Sequence, residues 1–197
     1  MRFDGTFQGL SGQWVKLVPL SADHIDEIYE AGRDERIWAY MFDRMDTRDD
    51  AVAYVESALK KRDLGTELPL VNIDLATGRV VGSTRLFDYS SVHRQVEIGH
   101  TWLTPSVWRS AINTESKLLL LTYCFEELHL LRVQLKTDGR NVRSQTAIAR
   151  LGAQKEGVLR KHRVLPDGYI RDTVMFSILD EEWPQVRDRL RGLLAAH

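Results

Sequence analysis

The sequence predicts an α/β (α+β) fold: one long mixed, mostly antiparallel sheet of six to seven strands, with helices on both faces. Three observations carry this expectation. The hydrophobic period is mainly helical in the first third, alternates between Leu68 and Leu103, and then switches between the two. The resulting order is strand, helices, three strands, helix, strand, helix, two strands. Finally, 197 residues with 43% hydrophobic and 28% charged side chains suit one core, which should bury about 70% of the unfolded surface. No repeat, low-complexity tract or Pro/Ser-rich linker divides the chain, so residues 1–197 are expected to form a single domain.

Trp14 to Leu20 alternates and reads as a first strand. Ser21 then caps a helix to about Arg33, with Ile25, Ile28 and Tyr29 on its buried side. Asp34 to Tyr40 reads as a short helix or turn, and Thr47 caps a longer helix that runs to Leu64 and closes at Gly65. Leu68 to Ala76 and Arg79 to Phe87 are strands around a Thr77-Gly78 turn, followed by a strand from Gln95 to Leu103 that Pro105 ends. Asn113 or Thr114 starts an apolar helix to Leu128. Arg132 to Thr137 is a buried strand, and Val142 to Leu151 a short helix ending at Gly152. Strands from Gln154 to Val164 and Tyr169 to Leu179 flank the Pro166-Asp167-Gly168 turn, and the tail from Asp180 is helical.

Composition excludes several functions. Lys and Arg number 27 against 28 Asp and Glu, so the basic excess of a nucleic-acid binder is missing. The cluster Arg160-Lys161-His162-Arg163 then reads as a solvated strand face. Cys124 is the only cysteine and lies within an apolar helix, which removes internal disulfides and cysteine-based metal clusters and favours a core role. The six histidines lack a ligand spacing, so no metal is expected. Met1 to Gly12 contains no apolar stretch of signal-peptide length, and the longest aliphatic run is Leu118–Leu121. The expectation is a cytoplasmic chain without membrane or nucleic-acid partners.

The informative segment is Val96-Glu97-Ile98-Gly99-His100-Thr101-Trp102-Leu103, followed by Trp108-Arg109-Ser110-Ala111-Ile112-Asn113-Thr114-Glu115. A strand ends, a turn follows, and a helix begins with free N–H groups that favour phosphate. Arg109 adds a charge to the same place. This suits a phosphorylated cofactor, although an ordinary strand-to-helix connection reads the same way. Glu97 lies between apolar Val96 and Ile98, so alternation turns it to the opposite face, where burial would raise its pKa and suit a base, with a solvated or ion-paired strand carboxylate as the equal alternative. His100 is the second candidate base, with a structural histidine as the plainer reading.

The chain resembles the GNAT superfamily of acetyl-coenzyme A-dependent N-acetyltransferases, and within it the branch of ribosomal-protein N-terminal (RimJ/RimL-like) enzymes. The residues that carry the resemblance are Gly78 and Gly82, Glu97-Ile98-Gly99, Thr114-Glu115, Arg132-Val133, Asn141 with Ser144, Leu151-Gly152, Glu156-Gly157-Val158-Leu159-Arg160, Asp172, and Phe176 to Trp183. They span about residues 14–184. One departure concerns the pyrophosphate loop, usually Gln/Arg-x-x-Gly-x-Gly/Ala. Here Ala111 replaces the first glycine and Asn113 stands where a small residue is expected.

The resemblance implies direct acetyl transfer from acetyl-CoA to a primary amine, either a protein N-terminus or a small molecule. Trp102, Leu103, the run Trp108, Arg109, Ser110, Ala111, Ile112, Asn113 and Thr114, and Asn141 with Ser144 would hold coenzyme A. Glu97 would act as base, Ser144 would protonate the thiolate, and backbone N–H groups near Leu103 would meet the oxyanion. Trp38, Tyr40, Met41 and His100 would form the acceptor site, with core packing as the alternative for the aromatic cluster. The missing glycines motivate a second reading, a coenzyme A-binding protein without turnover. A homo-oligomer is implied because the family often forms dimers.

Overall fold

The computed structural model describes residues 7–197. Its strands are β1 (Leu10–Ser11), β2 (Val15–Pro19), β3 (Glu67–Asp74), β4 (Val80–Ser90), β5 (Gln95–Leu103), β6 (Arg132–Asp138), β7 (Gln154–Val164) and β8 (Ile170–Leu179). The helices are α1 (Ile25–Gly32), α2 (Arg48–Asp63), α3 (Ala111–Thr122), α4 (Val142–Leu151) and α5 (Trp183–Leu194). All eight strands form one sheet in the order β1-β2-β3-β4-β5-β6-β8-β7. Every neighbouring pair is antiparallel except β5 and β6, which run parallel.

The sheet therefore has eight strands rather than six to seven. The addition is β1, which pairs Leu10 and Ser11 with Leu17 and Lys16 and is too short to show a period in sequence. A second correction concerns α3, which begins at Ala111 instead of Asn113 or Thr114. Ser110 caps it by accepting the N–H of Ile112. The helix proper ends at Thr122, and the apolar residues beyond it continue in a wider turn over Tyr123–Glu127.

The caps read from sequence form where local chemistry demands them. Thr47 and Asp50 make a reciprocal capping box for α2. Asn141 caps α4 by accepting the Ser144 N–H, and Gly152 closes that helix at φ 110°.

Two apolar layers enclose the sheet. Ile28 and Ala31 of α1 join Tyr54, Val55 and Ala58 of α2 over Val71, Val80 and Trp102. On the other face, Leu120 and Leu121 of α3 meet Ile148 and Leu151 of α4 and Trp183, Val186 and Leu190 of α5 over β5, β6 and β8. No helix among the described residues is long and apolar enough to cross a membrane.

Glu115, near the start of α3, fixes the sheet's N-terminal edge. The Glu115 carboxylate accepts the backbone N–H groups of Gln13, Trp14 and Val15 at 2.7–2.8 Å. Gly12 is required beside it, because a Cβ there would stand 2.2 Å from the Glu115 carboxyl carbon.

Candidate active site

The site is organised by an interruption in β5. Arg85 of β4 stands opposite Gly99 and Ser83 opposite Trp102, so Thr84 faces the two residues His100 and Thr101. This is a β-bulge, and His100 adopts φ 48° to make it. Ile98 and Thr101 consequently turn toward α3, whereas Gly99, His100 and Trp102 turn toward α2. A bulky side chain in the left-handed region costs energy, and such strain is commonly kept where function needs it.

The same stretch lies where two parallel strands part. β5 and β6 are paired only at Gln95–Arg132, Val96–Val133 and Glu97–Gln134, and from Gly99 to Leu103 β5 runs on without β6 beside it. Glu97 occupies the apex of this opening and is almost fully buried. Its Oε2 accepts hydrogen bonds from Lys136 Nζ at 2.9 Å and Gln134 Nε2 at 3.0 Å. Its Oε1 has no hydrogen-bond partner. Burial raises the Glu97 pKa above the ordinary carboxylate value, against the pull of Lys136. Gly99 leaves the space beside Oε1 open, for a Cβ there would lie 3.3 Å from that oxygen and 2.8 Å from the Phe87 ring.

On the α2 side of the bulge is a cavity of about 210 Å³, lined by Asp43, Arg44, Asp50, Tyr54, Ser57, Lys61, Arg85 and His100 among others. Its floor is a closed polar network. Glu67 bridges Arg85 at 2.8 Å and Lys61 at 2.9 Å, while the Arg85 guanidinium lies 4.8 Å from the centre of the Tyr54 ring. The Tyr54 hydroxyl donates to Ser83 and accepts from the Trp102 indole. Burial, reinforced by Arg85, lowers the His100 pKa to about 4, so its ring is neutral at pH 7. Burial raises the Asp43 carboxyl.

The far end of the opening is framed by two helix N-termini. Neither α3 nor α4 has an acidic residue in its first turn, so their partial positive charges are available to an anion. Trp108 joins them. Its ring packs beneath Arg143 of α4 at 3.9 Å and near Arg36 at 5.6 Å, and its indole N–H donates to the Leu103 carbonyl. The left-handed residue of this loop is Arg109, at φ 65°. Ala111 and Asn113 are not at positive φ and lie in the first turn of α3, so their conformations do not require glycine.

The predicted residues divide accordingly. Glu97 and His100 come together on the α2-facing side of β5. Trp108, just before α3, reaches Arg143 in the first turn of α4; Arg109, Ser110 and Asn113 lie at the α3 N-terminus and Asn141 and Ser144 at that of α4, while Ala111, Ile112 and Thr114 are buried. The Asn141 oxygen accepts the Ser144 N–H and so caps α4. Trp38 and Trp102 do not line the cavity. Their rings lie 5.2 Å apart in the core, and the Trp38 indole donates to the Gly32 carbonyl. Tyr40 instead faces Arg140, and Met41 packs on the same apolar layer. Leu103 is buried, and its carbonyl is occupied by Trp108; the strand opening starts earlier, past Glu97.

Sequence reasoning missed Arg85, Lys136 and Arg171. The available signal was a single basic residue interrupting an apolar strand: Arg85 between Thr84 and Leu86, and Lys136 between Leu135 and Thr137. It also missed Lys117, whose buried Nζ donates to Thr101 Oγ1 at 2.8 Å on the α3 side of the bulge.

Comparison with known proteins identifies the architecture. Residues 15–154 match the acetyltransferase (GNAT) domain model. A GCN5-related N-acetyltransferase from Brucella melitensis superposes with a TM-score of 0.89 at 30% identity, covering 95% of this chain and 85% of that one. YdaF of Bacillus subtilis is 33% identical over 55% of this chain, and the match spans 58% of the relative. Mycobacterium smegmatis RimJ, solved with a CoA-disulfide, shares the fold with a TM-score of 0.77 at 23% identity, over 94% of this chain and 91% of its own. The chain belongs to the GNAT acetyltransferase family.

Proposed function

We propose that this chain is an acetyl-CoA-dependent N-acetyltransferase, moving an acetyl group directly to a primary amine of a small molecule or a peptide N-terminus. The observation that carries the reading is Glu97 at the apex of the strand opening, with one oxygen held by Lys136 and Gln134 and the other unpartnered. The residues around the opening fit coenzyme A. Two acid-free helix N-termini and Arg109 suit its phosphates, and Ser110, Asn113, Asn141 and Ser144 offer polar groups at those ends. When bound, the coenzyme supplies an acyl thioester, an acetyl group already activated for attack.

The chain's own residues then have distinct tasks. Glu97 Oε1 takes the proton that the ammonium group must lose before it can attack. Burial favours this by raising the carboxylate's proton affinity toward the working range. Lys136 and Gln134 hold the carboxylate in place. Main-chain groups of Gly99–Trp102, which β6 does not pair, would bind a strand-like arm and stabilise oxygen charge. Ser144, in the first turn of α4, has a hydroxyl available to return a proton to the leaving thiolate. His100, neutral and facing the cavity, contacts the acceptor. The helical conformations of Ala111 and Asn113 do not call for glycine, which removes the dihedral part of the motive for a reading without turnover.

Glu97→Gln keeps the shape and the Lys136 contact but removes the base. Turnover should fall about 10²-fold or more, with the acetyl-CoA dissociation constant unchanged by titration. The acidic limb of the pH–rate profile should disappear with it. A variant that retains both the rate and that limb would assign the proton transfer elsewhere.

A further inference from the structure

The face of the sheet that carries Glu97 also carries a buried cation with no ion pair among the described residues. Glu97 pairs in register with Gln134, Gln134 with Ser177, and Asp138 with Thr173. Strand alternation therefore puts Glu97, Lys136, Asp138, Arg171 and Thr173 on one face of the sheet. The acids on this face already have cations: Glu97 is bonded to Lys136, and Asp138 to Arg140 through both carboxylate oxygens.

Arg171 is different. It is 7% exposed, its Nε has no hydrogen-bond partner, and no carboxylate lies within ion-pair distance of it among the described residues. Two residues on, the fully buried Thr173 hydroxyl is also unpartnered, as is Nδ1 of nearby His162. Phe42, from the segment joining α1 to α2, covers the guanidinium at 5.6 Å.

A desolvated guanidinium stays charged and is costly without a counter-ion. Arg140, Arg163 and Lys136 surround this place with further positive charge. The charges of Asp138 and, less strongly, Glu97 act on Arg171 without forming an ion pair with it, and strand alternation puts this group on the same face of the sheet as the proton acceptor. We propose that Arg171, with the Thr173 hydroxyl beside it, binds a carboxylate of the acceptor, so that the acceptor is an amine that itself carries a carboxylate. This rests on the acetyltransferase reading above and narrows its substrate class. Glu97 faces the amine, and Arg171 faces the acid.

The test uses two matched pools. One contains free amino acids and dipeptides beginning with Asp or Glu. The other contains the same compounds with every carboxyl converted to an amide. Thiol release from acetyl-CoA should be at least about tenfold faster with the acid pool, the effect of one charge-assisted hydrogen bond. Thermal melting gives a second readout that needs no turnover: the acid pool, and not the amide pool, should raise the melting temperature. Arg171→Gln should abolish both preferences, while Arg171→Lys should retain them in weakened form. If wild-type protein treats the pools alike in both assays, the proposal is overturned, whether or not Arg171→Gln folds. A melting shift without thiol release would uphold the carboxylate site while removing the enzymatic reading. Equal release from both pools would do the reverse.

Discussion

Arg85 and Arg171 are both buried in the sheet, and both leave Nε without a hydrogen bond, yet their surroundings differ. Arg85 lies where α1 and α2 cover the strands, and it is bound to Glu67, which also holds Lys61, with Tyr54 against its guanidinium. Arg171 lies under Phe42 and forms no ion pair with a carboxylate among the described residues. The contrast separates two uses of buried charge. Under the helices, polar groups are closed on one another and hold β3, β4 and the wall of the cavity together. Past the strand opening the acids are paired, but Arg171 Nε and the Thr173 hydroxyl are without partners among the described residues, and on the proposal above a ligand completes them.

The most severe way to break this comparison is Arg85→Met. It leaves Glu67 buried with only the half-exposed Lys61 for a partner. Removing one member of a buried pair typically costs about 3–5 kcal/mol, which urea unfolding would read directly. The wild-type Arg171→Gln comparison should be much milder in stability, because no internal ion pair is lost. If the two variants lose equal stability, the division between closed and open networks fails.

Lys117 tests the covered half from its weakest point. This lysine is buried against the bulge, and among the described residues its only hydrogen bond goes to Thr101, which is itself bonded to Thr84 at 2.8 Å. The nearby Cys124 thiol is pushed up by burial and offers no negative charge at neutral pH. Burial lowers the Lys117 pKa from 10.5 to about 7. Between those values the unfolded chain binds a proton that the folded chain does not, so wild-type stability rises with pH across this window. Above it the penalty is absent, and below it the penalty is constant. Lys117→Met should therefore be more stable than wild type by about 1–3 kcal/mol at pH 7, with the gain shrinking as pH approaches 10.5. A pH-independent difference would mean that the amine is already solvated.

Much of the frame was legible in the sequence. Gln95–Leu103, Val142–Leu151 and Gln154–Val164 fall at their expected boundaries, because Pro105, Asn141 and Gly152 terminate or cap them by local chemistry. Glu97 was legible too, as a lone carboxylate among apolar strand residues. The bulge was not, for it depends on Thr84 of a neighbouring strand facing two residues of β5. The aromatic residues left core packing and an acceptor wall both open, for a related reason. Trp38 and Trp102 have the composition of a ligand wall, and only tertiary packing shows that Tyr54 and Gly32 take up their indole N–H groups. Arg171 carries a signal only once its missing partner can be seen.

Arg109 provides the smallest expected effect and the finest test of the same distinction. Its φ of 65° is a conformation that glycine adopts freely and a branched or long side chain does not. Arg109→Gly should relieve that strain, offset in part by glycine's extra freedom in the unfolded chain. The net gain should be about 0.5–1 kcal/mol in urea unfolding. The same substitution removes an exposed guanidinium beside the α3 N-terminus, where the proposed coenzyme phosphates lie. Acetyl-CoA affinity should consequently fall while stability rises. Opposite signs in the two measurements would show that the loop keeps a strained residue for its charge, as the open half of the cleft keeps Arg171. A gain in stability with no loss of affinity would assign the phosphate contact to the helix N-termini alone.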